Sequence, residues 1–148
     1  MEKITKAKEI KVSYQNGCGE IVNESKKAYE ICKQAFSLSE ACISLREHFF
    51  ILFLNRANKV IGYYQLSAGG IAGTVADPKL AFSIALKCLA SGIILCHNHP
   101  SGNPKPSEVD ISLTRKFKEG GKLLDIAVLD HLILTEEGFY SFADEGMM

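Results

Sequence analysis

The stretch ILCHNHPSGNPKPSEVD, residues 94–110, joins an apolar run to a segment with helical spacing through a proline-rich loop. The apolar run ends in two histidines, His97 and His99, which are separated by one residue. Three prolines follow, and Ser107 and Asp110 then stand where a helix begins. The order of strand, loop and helix predicts a fold that mixes α and β elements, and the two histidines raise the question of a metal site.

Strand geometry lets the two histidines act together. Side chains at positions i and i+2 of an extended chain point to the same face, so His97 and His99 converge while Cys96 and Asn98 point away. Imidazole is a good zinc ligand, and a catalytic zinc usually has three protein ligands and one water. The prolines restrict the loop, so a fixed return path brings Asp110 within reach as the third ligand.

The start of the helix has a second interpretation. The spacing Ser107-x-x-Asp110 resembles a capping box, and an aspartate is favoured near a helix N-terminus in any case. Ser107 lies one helical turn before Asp110, so both side chains can face one cavity. A His-x-His pair also occurs at strand ends without a metal. Geometry alone leaves the metal site and the capped loop open, and the two roles are compatible.

Periodicity and turn residues predict the other elements. Alternating or continuous apolar residues predict strands over 8–14, 48–55, 60–66, 93–96, 124–129 and 131–135, and a short strand in FYSF, residues 139–142. The turn RANK makes 48–55 and 60–66 an antiparallel hairpin. Helical spacing predicts helices over 23–36, 76–90 and 107–119. The result is a mixed sheet with several helices, either α+β or α/β.

Capping residues and apolar faces refine the three helices. Asn23 or Ser25 is expected to cap the first, and Asp77 the second, with Pro78 at its first position and Ser91-Gly92 at its end. The apolar face of the second helix is predicted to hold Leu80, Ala81, Ile84 and Leu89. The apolar face of the third is predicted to hold Val109, Leu113 and Phe117.

Composition limits the class of protein. The 148 residues suit one domain, and 17 Lys plus Arg balance 17 Asp plus Glu, so a large basic footprint for nucleic acid is not expected. Two basic clusters, near Lys3–Lys11 and Arg115–Lys122, are diluted by acidic residues and are interpreted as solvated faces. The N-terminus lacks the apolar region of a secretory signal, and no apolar stretch approaches the ~20 residues that span a bilayer.

Cysteine usage agrees with a reducing compartment. The five cysteines are odd in number and form no Cys-x-x-Cys pair, so neither a disulfide framework nor a thiolate zinc site is expected. Buried free thiols are the expectation. Together with the missing signal, this pattern predicts a cytoplasmic protein with no membrane partner.

The central stretch resembles a known motif. His97, one residue, His99, seven residues, Ser107, two residues and Asp110 match in type and spacing the JAMM motif of the JAB/MPN metallopeptidases. The run HNHPSG is similar to the RadC branch of that family. The likeness extends from about Arg46 to the C-terminus and includes EHFFILFLN, GTVADP, LLDIAVLDHLIL and YSF.

The resemblance implies a fold and a domain plan. A JAB/MPN-like mixed β-sheet flanked by helices, with a cytidine-deaminase-like architecture, is expected in an α+β (mixed α/β) class. One RadC-like JAB/MPN domain would cover residues 1–148, with a core from about 23 to 148 and an N-terminal strand or extension over about 1–22. Longer RadC-like proteins carry an N-terminal helix-hairpin-helix segment, and residues 1–45 contain no such signature.

The resemblance also implies a mechanism. One Zn²⁺ per chain would be held by His97, His99 and Asp110, with a water in the fourth position. Glu47 would be the general base, and Ser107 would hydrogen-bond the oxyanion. The implied activity is that of a zinc-dependent metallohydrolase of the peptidase or isopeptidase type.

Two further residues are candidates for supporting the metal ligands from behind. Asp130 and His131 resemble the Asp-His step of RadC-like sequences and would orient a ligating histidine. A buried hydrogen-bonded pair without that role is the alternative for them. His48 is expected to be structural or exposed.

Partners and the alternative functions stay open. The substrate is expected to be a peptide or protein that the sequence does not identify. The alternative is a DNA-repair-associated accessory or DNA-binding module in which the metal is structural or vestigial, and a third option is an interaction scaffold. The oligomeric state is not predicted, and a dimer is left open.

Overall fold

The computed structural model describes residues 19–69 and 76–148. In chain order the elements are α1 (Ser25–Leu38), β1 (His48–Leu54), β2 (Val60–Ala68), α2 (Pro78–Lys87), β3 (Gly92–Asn98), α3 (Glu108–Leu123), β4 (Ala127–Leu134) and β5 (Phe139–Ser141). Across these described ranges the strands form one five-stranded sheet in the order β2-β1-β3-β4-β5. The predicted α+β fold with a mixed sheet is confirmed.

The middle of the sheet explains the most apolar segments of the sequence. β1 pairs antiparallel with both β2 and β3, β3 pairs parallel with β4 through the crossover helix α3, and β5 pairs antiparallel with β4. Every residue of β1 and β3 is buried, because both faces of these strands are covered. The predicted hairpin of β1 and β2 is confirmed.

The core consists of two clusters, one on each face of the sheet. Phe50, Leu52 and Cys96 pack with α1 on one face. Phe49 and Ile51 pack with α2 and α3 on the other, because successive strand residues alternate between faces. His97 follows this second face, and its ring stacks on Phe49 with centroids 5.6 Å apart.

The first helix begins without the predicted cap. Its N-cap residue is Glu24, which makes no side-chain capping bond, so the prediction of Asn23 or Ser25 is wrong. Ser25 lies inside the helix and its hydroxyl donates instead to the Asp144 carboxylate, 2.5 Å away. A long-range hydrogen bond therefore replaces the local one that the sequence suggests.

The second helix begins as predicted and ends earlier than predicted. Asp77 accepts a hydrogen bond from the Lys79 N–H at 2.9 Å, and Pro78 occupies the first position. The helix ends at Lys87 rather than at Ser91-Gly92. Leu89 takes a left-handed conformation (φ +57°), and the following N–H bonds back to the Ala85 carbonyl, which is the pattern of a Schellman cap without glycine.

The predicted apolar face of α2 is partly wrong. Leu80 is 40% exposed and Leu89 is 84% exposed, whereas Ala81 is buried as expected and Ile84 is partly buried. The buried residues of this helix are Ala81, Phe82 and Ala85. The helix turns the small Ala81 and Ala85 toward the core together with Phe82, whose ring contacts Phe117 of α3.

The third helix is capped as predicted and is longer than predicted. Ser107 and Asp110 form the full capping box, and the helix continues through Gly120 and Gly121 to Leu123. A Cβ at Gly121 would lie 2.3 Å from the Ile126 carbonyl oxygen, so glycine is retained here for close packing rather than to end the helix. Val109, predicted to be core, is 73% exposed.

The predicted strands over 124–129 and 131–135 form a single strand, β4. The pairing with β3 shifts register between Ile93 and Ile94, which lets Asp130 sit within a continuous strand. The predicted strand over 8–14 lies outside the described residues.

The described cysteines are free. Cys32 and Cys96 are buried as predicted, Cys42 is exposed and Cys88 is half-buried, so the expectation of buried thiols is wrong for Cys42. Cys18 lies outside the described ranges. Among the helices of residues 19–69 and 76–148, none combines the length and apolar character needed to cross a membrane.

Candidate metal centre

Three predicted ligands meet at the end of the central strand β3. His97 is the second-last residue of β3, His99 directly follows the strand, and Asp110 lies in the first turn of α3. The His97 Nε2 lies 3.0 Å from the His99 Nε2 and 3.2 Å from Asp110 Oδ1, and the His99 Nε2 lies 3.1 Å from Asp110 Oδ2. We call these three residues the metal triad.

The shape of the metal triad fits a tetrahedral ion. Zinc bonds of about 2.0–2.1 Å at tetrahedral angles place ligand atoms ~3.3 Å apart. The two Nε2 atoms lie 3.0 Å apart, close to that value, and they lie 3.2 and 3.1 Å from the two different oxygens of the Asp110 carboxylate. The group could therefore hold a metal ion through two imidazoles and one carboxylate, which is a ligand set that suits zinc.

Hydrogen bonds behind His97 fix which of its nitrogens faces the triad. The Thr114 hydroxyl donates to the Asp110 carbonyl at 2.7 Å, so it accepts from the His131 Nδ1–H at 2.6 Å. His131 Nε2 is then an acceptor, and the His97 Nδ1–H donates to it at 2.7 Å. The His97 Nε2 therefore presents a lone pair to the triad.

His99 is oriented in the same way by the loop. Its Nδ1 lies 2.8 Å from the Asn103 carbonyl, which only accepts, so the proton sits on Nδ1 and Nε2 again faces the triad. When both histidines are neutral, all three groups of the triad are hydrogen-bond acceptors, and they face one another with little solvent around them. A bound cation or an added proton is needed to stabilise that arrangement.

The pKa shifts show the same demand for positive charge. Burial alone would raise the pKa of Asp110, but a proton on the Nε2 of His97 or His99 would be donated to the carboxylate, and this interaction outweighs burial and holds the pKa far below its usual value. Burial would lower the pKa of His99, and the bonds to Asp110 and Asn103 outweigh it and raise the pKa. Burial lowers the pKa of His131 well below its usual value, which keeps that ring neutral.

Glu47 lies at the edge of the metal triad. It directly precedes β1, where Phe49 pairs with His97, and continuing this antiparallel register by two residues would bring Glu47 opposite His99. Glu47 is half-buried, and its charge contributes to the raised pKa of His99. The structure thus brings Glu47 close to residues that are distant from it in sequence.

Ser107 lies one turn from the carboxylate ligand. Its Oγ accepts from the Asp110 N–H at 3.1 Å, and its own N–H donates to Asp110 Oδ2 at 2.8 Å. The capping bond uses the oxygen as an acceptor, so the hydroxyl hydrogen remains available to another acceptor. The capping box and the ligand position are therefore one structure.

Asp130 and His131 lie on the two opposite faces of the sheet. The His131 ring contacts His97, whereas the Asp130 carboxylate accepts from the His131 N–H, the Ser141 hydroxyl and the Ala143 N–H at 2.6 to 3.0 Å. Asp130 therefore supports the β4–β5 corner and is not brought to the triad. His131 has the contact expected of a residue that orients a ligand.

Two observations complete the site. Thr114 was not predicted, although its position four residues after Asp110 on one helix face would have indicated it. His48 is buried, and its Nδ1 lies 3.0 Å from the Gln65 Nε2 on the face opposite the triad, so its role is structural.

Known proteins are similar in sequence to this chain. A family model described as the RadC-like JAB domain matches residues 22–147. A UPF0758 protein of Flavobacterium johnsoniae is 51% identical over 117 residues, which are 78% of this chain and 51% of the relative. A UPF0758 protein of Porphyromonas gingivalis is 45% identical over 104 residues, which are 70% of this chain and 46% of the relative.

A UPF0758 protein of Geotalea uraniireducens is 43% identical over 103 residues, 70% of this chain and 45% of its own length. The chain spans about half the length of the curated relatives that it matches. The family model covers most of the chain, including the metal triad and the strands that carry it. The chain therefore belongs to the family of RadC-like JAB domains.

Proposed function

We propose that this protein is a zinc-dependent hydrolase that cleaves a peptide or isopeptide amide. The observation that carries the proposal is the convergence of two histidine Nε2 atoms and the Asp110 carboxylate at 3.0 to 3.2 Å, with both rings held in the tautomer that faces a cation. The charge of Glu47 acts on His99, and Ser107 caps the helix that carries Asp110, which supports roles for them as acid–base group and hydrogen-bond donor.

Zinc at the triad would supply a Lewis acid that lowers the pKa of water to about 7 and polarises the scissile carbonyl. Glu47 would accept the proton of the attacking water and transfer it to the departing amine nitrogen. The Ser107 hydroxyl would donate to the oxygen of the attacked carbonyl as charge develops there. His131 and Thr114 would keep the His97 Nε2 directed at the site.

The test separates chemistry from metal binding. Zinc-loaded protein would be incubated with a library of linear and isopeptide-linked peptides, and the products would be identified by mass spectrometry. We expect cleavage that a chelator abolishes and that E47Q reduces by at least about 100-fold while zinc content stays unchanged. Cleavage by E47Q at the wild-type rate would contradict the role of Glu47, and a zinc-loaded wild type without cleavage across both classes would contradict the proposal.

Binding of nucleic acid is the second candidate, and one observation favours it. A groove of about 720 Å³ at the C-terminal end of α3 is lined by Arg56, Lys118 and Lys122, together with Asp125. Phosphate contacts by such side chains release counterions, so affinity would fall steeply with salt. The wild type should then bind DNA with an affinity that depends on salt. Loss of that affinity in the K118E/K122E double variant would support this candidate.

A further inference from the structure

Asn98 stands between the two histidine ligands and faces the other side of the sheet. Its side chain is fully buried, and its acceptor oxygen and both of its N–H donors are used. Oδ1 accepts from the His48 N–H at 2.7 Å, and Nδ2 donates to the Ile43 carbonyl at 2.7 Å and to the Arg46 carbonyl at 3.0 Å. One amide therefore binds three backbone groups of the segment that leads into β1.

Two of these bonds enclose Glu47. The Arg46 carbonyl belongs to the peptide unit that precedes Glu47, and the His48 N–H belongs to the unit that follows it. On its other side, the second unit is held by the Gly69 N–H, which donates to the Glu47 carbonyl at 2.9 Å. Both peptide planes that adjoin the Glu47 Cα are thus anchored.

The anchor matters because Glu47 lies at the very end of the β ladder. β1 begins at His48 and the segment from 41 to 46 is irregular. The Gly69 N–H bond ties Glu47 to β2, and the bonds from Asn98 tie its two adjoining peptide units to β3. Asn98 lies directly between His97 and His99 in the chain. The position of Glu47 is therefore set by the same strand that carries the two imidazole ligands.

We propose that Asn98 is a positioning residue that holds Glu47 at the metal triad. The inference rests on the proposed function for the role of Glu47, whereas the anchoring itself is independent of a metal. An amide is required because one acceptor and two donors are needed. An aspartate would face the carbonyls of Ile43 and Arg46 with acceptors only, and a leucine would leave all three backbone groups without partners.

The first test measures the anchor in metal-free protein. Amide hydrogen exchange of His48 and Gly69 would be followed by NMR in wild type, N98A and the matched control T135A, which removes another buried side chain that bonds a turn at Gly138. We expect exchange of both amides to accelerate at least about tenfold in N98A relative to T135A at equal global stability. Equal rates in the two variants would overturn the proposal.

The second test measures the consequence for the site, with Co²⁺ as the probe. E47Q is expected to change the pH profile of the visible spectrum, and N98A is expected to cause at least half of that change with a Co²⁺ affinity within about threefold of wild type. The E47Q/N98A double variant should match E47Q, because Asn98 acts through Glu47. Additive changes, or a wild-type profile in N98A, would overturn the proposal.

The two failures are distinguishable. A wild type that binds no Co²⁺ contradicts the proposed function, and the exchange rates of His48 and Gly69 then decide the anchor alone. A wild type that binds Co²⁺ while N98A keeps slow exchange at both amides contradicts the positioning role and leaves the proposed function intact.

Discussion

Thr114 determines which nitrogen of His97 is presented to the metal triad. Its hydroxyl has one hydrogen, and the Asp110 carbonyl takes it, so the direction of every following bond through His131 to His97 is fixed. We call this chain of hydrogen bonds, from Asp110 through Thr114 and His131 to His97, the relay, and it begins and ends on two ligands of the metal triad. A side chain that touches no metal can therefore control metal affinity.

Replacing Thr114 tests this relay. T114V leaves the buried His131 Nδ1–H without its acceptor, which should cost about 1–3 kcal/mol of unfolding free energy and weaken zinc binding by ~10–100-fold. T114S keeps the hydroxyl and should stay near wild type in both. Competition with a chelating dye would measure the affinities. A zinc affinity of T114V equal to that of T114S would contradict the relay.

Asp130 shows that two adjacent residues serve different purposes. Burial raises the pKa of its carboxyl, although hydrogen bonds from Ser141 and from the N–H groups of Ala143 and His131 oppose that shift. A carboxyl with a raised folded pKa binds protons more tightly in the folded state. Its contribution to stability is full below the ordinary pKa and is lost as pH rises through the raised value.

D130N should remove this pH dependence. Its amide can still accept from the two N–H groups and can donate to the Ser141 hydroxyl, so the corner remains bonded. We expect the unfolding free energy of D130N, relative to wild type, to increase with pH from about 4 upward, with zinc content unchanged. Urea titrations across pH would measure it, and a relative stability that falls with pH would refute the assignment.

At the scale of elements, α3 joins the metal triad to the sheet. Its first turn holds the Asp110 ligand through the capping box, and its last turns pack against the start of β4. Helix capping is usually a matter of local stability. Here the same bonds orient a carboxylate, so the helix start has a stability role and a site role.

S107A separates those two roles. Loss of the cap should lower the unfolding free energy by about 0.5–2 kcal/mol. The Asp110 side chain keeps its bond from the backbone N–H of residue 107, so zinc should remain bound with a smaller loss of affinity than in D110N. Thermal unfolding and a zinc titration would measure both. A complete loss of zinc in S107A would contradict this division.

Gly121, near the C-terminal end of α3, should tolerate no added side chain. In G121A the new methyl group meets the Ile126 carbonyl oxygen at 2.3 Å, and backbone cannot move aside cheaply. We expect a loss of about 1–3 kcal/mol or more in unfolding free energy. G62A, whose added Cβ meets nothing within 4 Å, is the matched control. Equal denaturation midpoints in the two variants would show that the contact is not rigid.

At the scale of the molecule, local patterns predicted what is local. The ligands, the capping box and the strands β1 and β3 follow from period-2 alternation, apolar runs and helix-start residues within short windows. Glu47 was placed by family resemblance, and Thr114 and Asn98 were not singled out. Their roles depend on the pairing of β1, β3 and β4, which brings residues more than 30 positions apart together.

The incorrect expectations have the same origin. The face of α2 and the end of that helix are set by how closely it packs on α3, and Leu89 adopts a left-handed conformation that residue type does not indicate. The local sequence at Asp130 predicts a break between two strands, but the register shift opposite Ile93 and Ile94 accommodates this residue within β4. Tertiary contacts override propensity at each of these positions.

The most direct test of the metal centre is the zinc content per chain, measured by mass spectrometry on protein purified without chelator or added metal. D110N would be compared with D125N, which changes an exposed acid at the far end of α3. We expect about one zinc per wild-type and D125N chain and a large loss in D110N. A folded wild type that holds no divalent metal and takes up none when zinc is offered would contradict it.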